Sequence, residues 1–417
     1  MMKFLKRLLL FLIMLLIGAG IYGYYNGMTV EDYKALISQI TINQETKESE
    51  IEEEEPEDEI IAAEKKKITK PEGQKTELPS SGKPKKETKY ELLPEPKNRF
   101  AQIDHFASNT PEEVHVDVIT LAAFLQEKAK TDLEKARAIY VWIVENIRYD
   151  DEAYNTGVYP NYTAEYVLES RKAVCEGYSN LYLALGQEMG LEIKKVTGFA
   201  KGYGYRNKTK FYESNHAWNI IKLNGTWRVF DSTWGSGYGE NVNGKLVTSK
   251  RMDSYWFNVD PYEAIFNHYP KDIGYCFVQP LISLSEYEQM PQLMGDFFSM
   301  GFNGKEVYAE VIAKPGLKYP KSYDLDTYVE KISAPRHSQL LVDQVYHFEF
   351  FIPRAYKVAA IDADNGWTYF ERNNGRFSLD LILQKTGELS IGVQHEKGGT
   401  SYQTILKYHV LEQKVLN

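Results

Sequence analysis

Three residues whose side chains can together perform covalent catalysis occur in the order Cys175, His216 and Asp231. A thiol can attack a carbonyl carbon, an imidazole can carry the proton, and a carboxylate can orient the imidazole. These residue types predict the cleavage or transfer of amide bonds through a thioester. Whether the three side chains meet depends on the elements that carry them.

The segment after Cys175 predicts a buried helix. Its apolar residues recur at helical spacing, and Gly190 follows them where a helix commonly ends. Cys175 would then lie at the helix N-terminus, where unsatisfied N–H groups and the helix dipole favour an ionised thiol. The structural alternative is a buried packing cysteine, which is the more common role of a lone cysteine.

The segment around His216 and Asp231 predicts a β-hairpin. Two strand-like stretches are separated by Asn224-Gly225, the strongest short hairpin signal. The two-residue turn places His216, Trp218 and Asp231 on one face, with His216 and Asp231 as diagonal neighbours roughly 7–8 Å apart at the backbone. A core histidine and a turn aspartate are the structural alternatives. The coincidence of nucleophile, base and orienter favours catalysis.

Several sequence blocks resemble the transglutaminase-like, papain-related superfamily. They are residues 174–178 (VCEGY), 215–219 (NHAWN) and 230–235 (FDSTWG). Further blocks are similar to the branch of the kyphoscoliosis peptidase and the cytokinesis protein, namely residues 255–257, 260–270, 280–284 and 291–298. The likeness covers about residues 121–298. One departure is Ala173, where the family usually has Gly before the Val-Cys pair.

The resemblance implies an α+β fold with a papain-like core, in which the Cys helix packs against an antiparallel sheet. It implies that Cys175 is the nucleophile, His216 the general base and Asp231 the residue that orients the histidine. The backbone N–H of Cys175 would form part of an oxyanion hole. Tyr162 is at about the position of the second donor, and Asn161 lies beside it.

Two tryptophans near these residues are candidates for the walls of a substrate cleft, Trp218 and Trp234. Transfer to an amine requires an apolar tunnel that excludes water from the thioester. Trp218 has an alternative role in core packing, and the turn that contains Trp234 resembles one found in hydrolytic and transferring relatives alike. Because water is present at about 55 M, we expect hydrolysis rather than cross-linking.

The pattern of elements predicts helices at residues 116–128, 131–148 and 163–170, and a loop at residues 150–164. Thr131 and Glu134 form a capping-box pattern.

The last third of the chain predicts an all-β, immunoglobulin-like sandwich, because turn signals recur about every ten residues. Residues 362–366 have the wrong ligand spacing for a calcium loop and predict a hairpin turn. The predicted strands are residues 306–313, 346–352, 357–362, 377–383, 388–394 and 402–411.

The N-terminus predicts a membrane anchor. Residues 8–25 carry no charge and follow three basic residues. Eighteen residues at helical rise cover about 27 Å, close to the thickness of the hydrocarbon core. The basic flank predicts that the rest of the chain lies outside the cytoplasm. A cleaved signal peptide is the alternative.

The segment after the apolar run is charged and contains several prolines, which predicts an extended, disordered linker.

Composition excludes several classes of function. The chain has 417 residues, 49 basic against 58 acidic, and a net charge of −9, which argues against a nucleic-acid partner. Two cysteines cannot build a disulfide scaffold or a Cys₄ zinc site. The sequence contains no Gly-rich phosphate loop and no clustered metal ligands, so we expect neither a cofactor nor a metal.

These features predict four segments. They are an anchor or transmembrane helix (1–27), a charged linker (28–98), a transglutaminase-like domain (99–298) and a β-sandwich (299–417). The predicted function is a membrane-anchored, extracytoplasmic thiol enzyme that cleaves or transfers amide bonds in a protein or peptide, such as a cell-wall peptide. The alternative is a non-catalytic surface scaffold that binds protein or cell-wall polymer.

Overall fold

The computed structural model describes residues 68–69, 92–207, 209–324 and 327–413. All of them belong to one compact unit, residues 62–417. The predicted membrane helix and most of the predicted linker lie outside the described residues, so both stay predictions. Within the linker range, however, residues 68 and 69 form a short strand that pairs with Tyr402 and Ser401, which differs from the disorder predicted there. Among the described residues, no helix combines the length and the apolar character that crossing a bilayer requires.

Within the residues that the structure describes, six α-helices precede or begin at the candidate nucleophile. The capping box of Thr131 and Glu134 is present at the start of the third, and Thr163 caps the fifth. The fourth lies in a segment that we predicted to be a loop, and that prediction was wrong. Asp150 accepts a hydrogen bond from the backbone N–H of Ala153, which stabilises this extra turn of helix. The helices are α1 Ala101–Ser108, α2 Val118–Gln126, α3 Asp132–Asn146, α4 Asp151–Thr156, α5 Ala164–Ser170 and α6 Cys175–Glu188.

Nine short strands lie in the part of the described chain that ends at residue 270. Four of them form an antiparallel sheet in the order β6-β5-β4-β9. The register of the predicted hairpin is confirmed, since Leu223 pairs with Thr226 and the pairing continues to Asn219 and Phe230. The strands are β1 Ile68–Thr69, β2 Arg148–Tyr149, β3 Lys172–Ala173, β4 Ile193–Ala200, β5 His216–Leu223, β6 Thr226–Phe230, β7 Gly237–Val242, β8 Lys245–Lys250 and β9 His268–Pro270.

Helix α6 packs against this antiparallel sheet, as predicted for an α+β core. The side-chain amide of Asn219 on β5 donates to the backbone carbonyl of Ser179 on α6 at 3.1 Å. On the other side of the helix, the Tyr182 hydroxyl donates to the carbonyl of Ala136 on α3 at 2.7 Å. Helix α6 is therefore held between α3 and the sheet, and this fixes its first residue relative to β5.

Four more α-helices follow β6 in the described part of the chain, and one of them corrects a prediction. Residues 306–313 were predicted as a strand, but they lie in a helix whose first turn is capped by Asn303, which accepts from the N–H of Glu306 at 3.0 Å. Val307 and Val311 are buried on one face at helical spacing. A short apolar run fits either structure, and the asparagine cap decides it here. These helices are α7 Pro261–Ala264, α8 Leu284–Gln289, α9 Gly295–Ser299 and α10 Gly304–Ala313.

The last part of the described chain is rich in β-structure, and the other five predicted strands are confirmed to within a residue or two. A four-stranded sheet has the order β11-β13-β17-β16, and a seven-stranded sheet contains β1, β10, β12, β14, β15, β18 and β19. The strands are β10 Lys321–Ser322, β11 Glu330–Ser333, β12 Gln339–Leu341, β13 Val345–Phe351, β14 Lys357–Ile361, β15 Trp367–Tyr369, β16 Glu371–Asn373, β17 Arg376–Ile382, β18 Gly387–Gln394 and β19 Ser401–Leu411.

The two C-terminal sheets share one hydrophobic core. Phe348 on β13 meets Tyr408 on β19 with ring centroids 5.7 Å apart. The same core includes Phe266 and Phe298, which lie before residue 299, so it continues across the predicted domain boundary. Residues 362–366 form the turn between β14 and β15, as predicted. The division into domains and the immunoglobulin-like assignment stay predictions.

Candidate active site

Cys175 is the first residue of helix α6, as the sequence predicted. It is half-buried and is not part of a disulfide. Val174 precedes the helix in an extended conformation and contributes no side-chain cap. The N–H groups of the first helical turn therefore lie beside the thiol, which is the arrangement that favours a thiolate and can stabilise an oxyanion.

His216 and Asp231 are brought together at the end of the hairpin. The His216 Nε2 and Asp231 Oδ2 atoms are 2.7 Å apart, and the two side chains are 7% and 1% exposed. Strand β6 ends at Phe230, so Asp231 lies just beyond the last ladder pair. Its other oxygen, Oδ1, accepts from the backbone N–H groups of Thr233 at 2.9 Å and Trp234 at 3.0 Å. The turn thus fixes the carboxylate that orients the imidazole.

A second histidine, which the sequence analysis did not select, binds the same carboxylate oxygen. The His268 Nε2 atom lies 2.9 Å from Asp231 Oδ2. His268 begins strand β9 and pairs with Ala200 on β4, next to the strand that carries His216. In the sequence, His268 belongs to residues 260–270, a segment that contributes only to the family resemblance. The pairing of β9 with β4 joins residues far apart in sequence, so no local pattern indicated this contact.

The charges of this cluster follow from burial and mutual contact. Burial lowers the pKa of His216, but Asp231 and Cys175 outweigh it and raise that pKa to about 10. Burial also opposes ionisation of Asp231, yet His216 and His268 hold its pKa below the usual range. The pKa of His268 is lowered, chiefly by burial. At neutral pH the cluster contains a His216 imidazolium, an Asp231 carboxylate and a neutral His268.

The neighbours of His216 assign a role to each ring nitrogen. Nε2 is occupied by Asp231 at 2.7 Å, and Cys175 lies close enough to the imidazole to raise its pKa. Nδ1 is therefore the nitrogen that faces the thiol. A proton can pass between Cys175 and His216 while Asp231 keeps the ring in place. This arrangement joins a nucleophile, a base and an orienting carboxylate.

Trp218 and Trp234 both lie beside the histidine, but they differ in exposure. The ring of Trp218 is 6.1 Å from that of His216 and is buried, which fits the packing role. The ring of Trp234 lies 5.4 Å from that of His216 and is partly exposed. Gly202 packs so closely on Trp234 that a Cβ there would come within 2.7 Å of the ring. Trp234 is thus the better placed of the two to contact a substrate.

The predicted oxyanion residues occupy different surroundings. The Tyr162 side chain packs against Gly177 in the first turn of α6, but its hydroxyl donates to Asp150 Oδ2 at 3.0 Å. Asn161 is exposed. Both assignments stay predictions.

The structure adds Tyr149 as a neighbour of the nucleophile. Tyr149 pairs with Ala173 in the parallel ladder of β2 and β3, two residues before Cys175. Burial raises the pKa of Tyr149, and the charge of Cys175 adds to that effect. A two-residue parallel ladder leaves no recognisable pattern in the sequence, so the proximity of Tyr149 to Cys175 was not predicted.

His216, Asp231 and His268 could also hold a metal ion, since their donor atoms lie within 4.8 Å of one another. Their separations of 2.7 and 2.9 Å match N–H···O hydrogen bonds. Two ligands of a tetrahedral zinc ion would lie about 3.3 Å apart. The distances favour protons rather than a metal between these atoms.

The candidate site lies in a part of the chain that is similar to known proteins. Residues 119–232 match the model of the transglutaminase-like superfamily, and this range contains Cys175, His216 and Asp231. The resemblance to the transglutaminase-like superfamily that the sequence predicted is confirmed for this part of the chain.

Particular relatives include the kyphoscoliosis peptidase of Homo sapiens, 30% identical over 204 residues, which are 49% of this chain and 30% of that protein. Hillarin of Drosophila melanogaster is 28% identical over 71% of this chain and 35% of its own. Cytokinesis protein 3 of Schizosaccharomyces pombe is 22% identical over 56% of this chain and 27% of its own length. The chain thus spans about a third of the length of these curated relatives. Among solved structures, a putative cysteine protease from Cytophaga hutchinsonii is 22% identical, covering 36% of this chain and 46% of its own, with a TM-score of 0.21.

Proposed function

We propose that this protein is a thiol enzyme that hydrolyses amide bonds in peptides or proteins. The observation that carries the proposal is the contact of His216 with both Cys175 and a buried, ionised Asp231. A buried carboxylate is costly unless it is paired, and here the pairing orients the His216 imidazole beside the half-buried thiol. The name of the human relative, a peptidase, supports the same class of reaction.

The reaction follows from the positions of the protons. The Cys175 thiolate attacks the carbonyl carbon, and the oxyanion that forms lies near the N–H groups at the start of α6. His216 gives its Nδ1 proton to the leaving amine, and a thioester remains. Water then attacks the thioester and gives a proton back to His216. The carboxylic acid leaves, and the thiolate and imidazolium are restored.

We propose water rather than an amine as the acceptor. The side chain that would wall a tunnel on the His216 side, Trp234, is partly exposed and packs on a glycine. An open cleft admits water at about 55 M, which an amine matches only where water is excluded.

Alkylation of Cys175 tests the thiol proposal. Because the pKa of His216 is raised to about 10, the imidazolium that would stabilise a catalytic thiolate is present throughout the range from pH 6 to 8. We expect the rate of reaction with iodoacetamide to stay nearly constant between pH 6 and 8. An ordinary thiol would slow roughly 100-fold over the same range, because its ionised fraction falls tenfold per pH unit. A steep profile of that kind would indicate a non-catalytic scaffold.

We also propose that residues 1–27 anchor the protein in a membrane with the folded part outside the cytoplasm. The proposal rests on the apolar run of residues 8–25 and the basic residues Lys3, Lys6 and Arg7 before it. Protease added to intact cells should then degrade the folded part. Complete protection of that part, with degradation after lysis, would contradict this topology.

A further inference from the structure

The Asp231 carboxylate accepts four hydrogen bonds, and the proposed reaction accounts for only one donor, His216. Two of the others come from the backbone of the following turn and hold Oδ1. The fourth comes from His268, which shares Oδ2 with His216. A buried carboxylate oxygen between two imidazoles requires each ring to donate an N–H to it. His268 is therefore part of the arrangement that fixes Oδ2.

The surroundings of His268 permit one protonation state. The residue is 3% exposed, and its ring lies 4.5 to 5.1 Å from the rings of three tryptophans. The charged groups that act on it are Asp231 and His216. Within the described residues its Nδ1 atom has no hydrogen-bond partner, so a proton there would be buried and unpaired. The tautomer that remains is neutral, with the proton on Nε2. The tryptophans forming this cage are Trp218, Trp234 and Trp256.

Pairing with β4, a strand outside the hairpin, holds His268 in place. His268 pairs with Ala200 on β4, and β4 pairs with β5, which carries His216. Asp231 comes from the end of β6, on the far side of β5. The carboxylate is thus held from both directions across the sheet.

We propose that His268 is a positioning residue for the thiol reaction. Its Nε2–H holds Oδ2 of Asp231 at the point where His216 Nε2 meets it, and this keeps Nδ1 of His216 directed at Cys175. The inference rests on the proposed thiol function. Loss of the His268 donor would leave Oδ2 bound by His216 alone, and the carboxylate could then turn about its anchored Oδ1.

Three substitutions separate positioning from packing. His268→Gln keeps an N–H donor at about the place of Nε2, whereas His268→Asn is too short to reach Asp231. His268→Phe keeps the ring and removes the donor. The readout is the rate of Cys175 alkylation by iodoacetamide from pH 6 to 9, measured on the full chain. Peptide mass spectrometry distinguishes Cys175 from the buried Cys276.

We expect His268→Phe and His268→Asn to slow alkylation at pH 6 about 10- to 100-fold, by analogy with the loss of a hydrogen-bond partner behind a metal-binding side chain. The deficit should shrink towards pH 9, where a thiol ionises without an ion pair. His268→Gln should keep the flat pH profile of the protein without substitutions. If His268 had only a structural role, the pH profile would not depend on whether the substituted side chain carries an N–H donor for Asp231.

The outcomes also distinguish this inference from the proposed function. A folded His268→Phe protein with an unchanged profile would overturn the inference alone. If that variant does not fold, His268→Gln and His268→Asn decide, and identical profiles for these two would overturn it. If the protein without substitutions itself shows the steep pH profile of an ordinary thiol, the proposed thiol function is contradicted, whatever the variants show.

Discussion

Replacing Cys175 with alanine should abolish amide turnover, with a loss of about 10⁴-fold or more, because the substitution removes the thiol that acts on His216. The fold should be retained, since alanine is a good residue at a helix start and the thiol is only half-buried. The assay supplies a glutamine-containing protein and a labelled primary amine. It follows ammonia, new chain termini and amine incorporation together.

Cys276→Ala is the matched control for this prediction. Cys276 lies outside the site, in the hydrophobic core that the two C-terminal sheets share. Burial there raises the pKa of its thiol. The control variant should keep its activity and lose some stability. Turnover that survives in Cys175→Ala would contradict the thiol mechanism. Amine incorporation that outpaces hydrolysis and disappears in Cys175→Ala would instead replace hydrolysis with cross-linking.

Asp231→Asn should reduce turnover about 10³- to 10⁴-fold while the hairpin still forms. The asparagine oxygen can still accept from the N–H groups of Thr233 and Trp234. Its NH₂ group would then face the two imidazole Nε2–H groups, donor against donor. His216 can relieve this conflict by moving its proton to Nδ1. In that tautomer it no longer accepts a proton from Cys175.

The pH dependence of alkylation gives a second measure of Asp231→Asn. Asp231 is the group that raises the pKa of His216 most strongly, so its loss should let that pKa fall. The imidazolium would then be lost as the pH rises through the neutral range, and alkylation should follow the steep profile of an ordinary thiol. Asp260→Asn is the control, since it keeps a helix cap near Arg228 and does not contact His216. Equal effects of the two substitutions would contradict the assigned role.

Local features of the sequence were sufficient to predict the elements that carry the reaction. The capping box at Thr131 and the Asn224-Gly225 turn act within a few residues, so their outcome does not depend on the rest of the fold. The turn sets the register, and the register places His216 near Asp231. The same locality explains why Cys175 was correctly placed at a helix start.

Contacts between distant segments decided the rest. The strand that carries His268 pairs with β4 across some 70 residues of chain, and Tyr149 reaches the nucleophile through a two-residue parallel ladder. Residues 306–313 became a helix because a cap and a buried face outweighed an apolar pattern that fits a strand equally well. The sequence alone determined which residues could form a Cys-His-Asp site. Only tertiary packing decided that Asp231 is shared by two histidines, because that arrangement requires a strand from another part of the chain to complete the sheet.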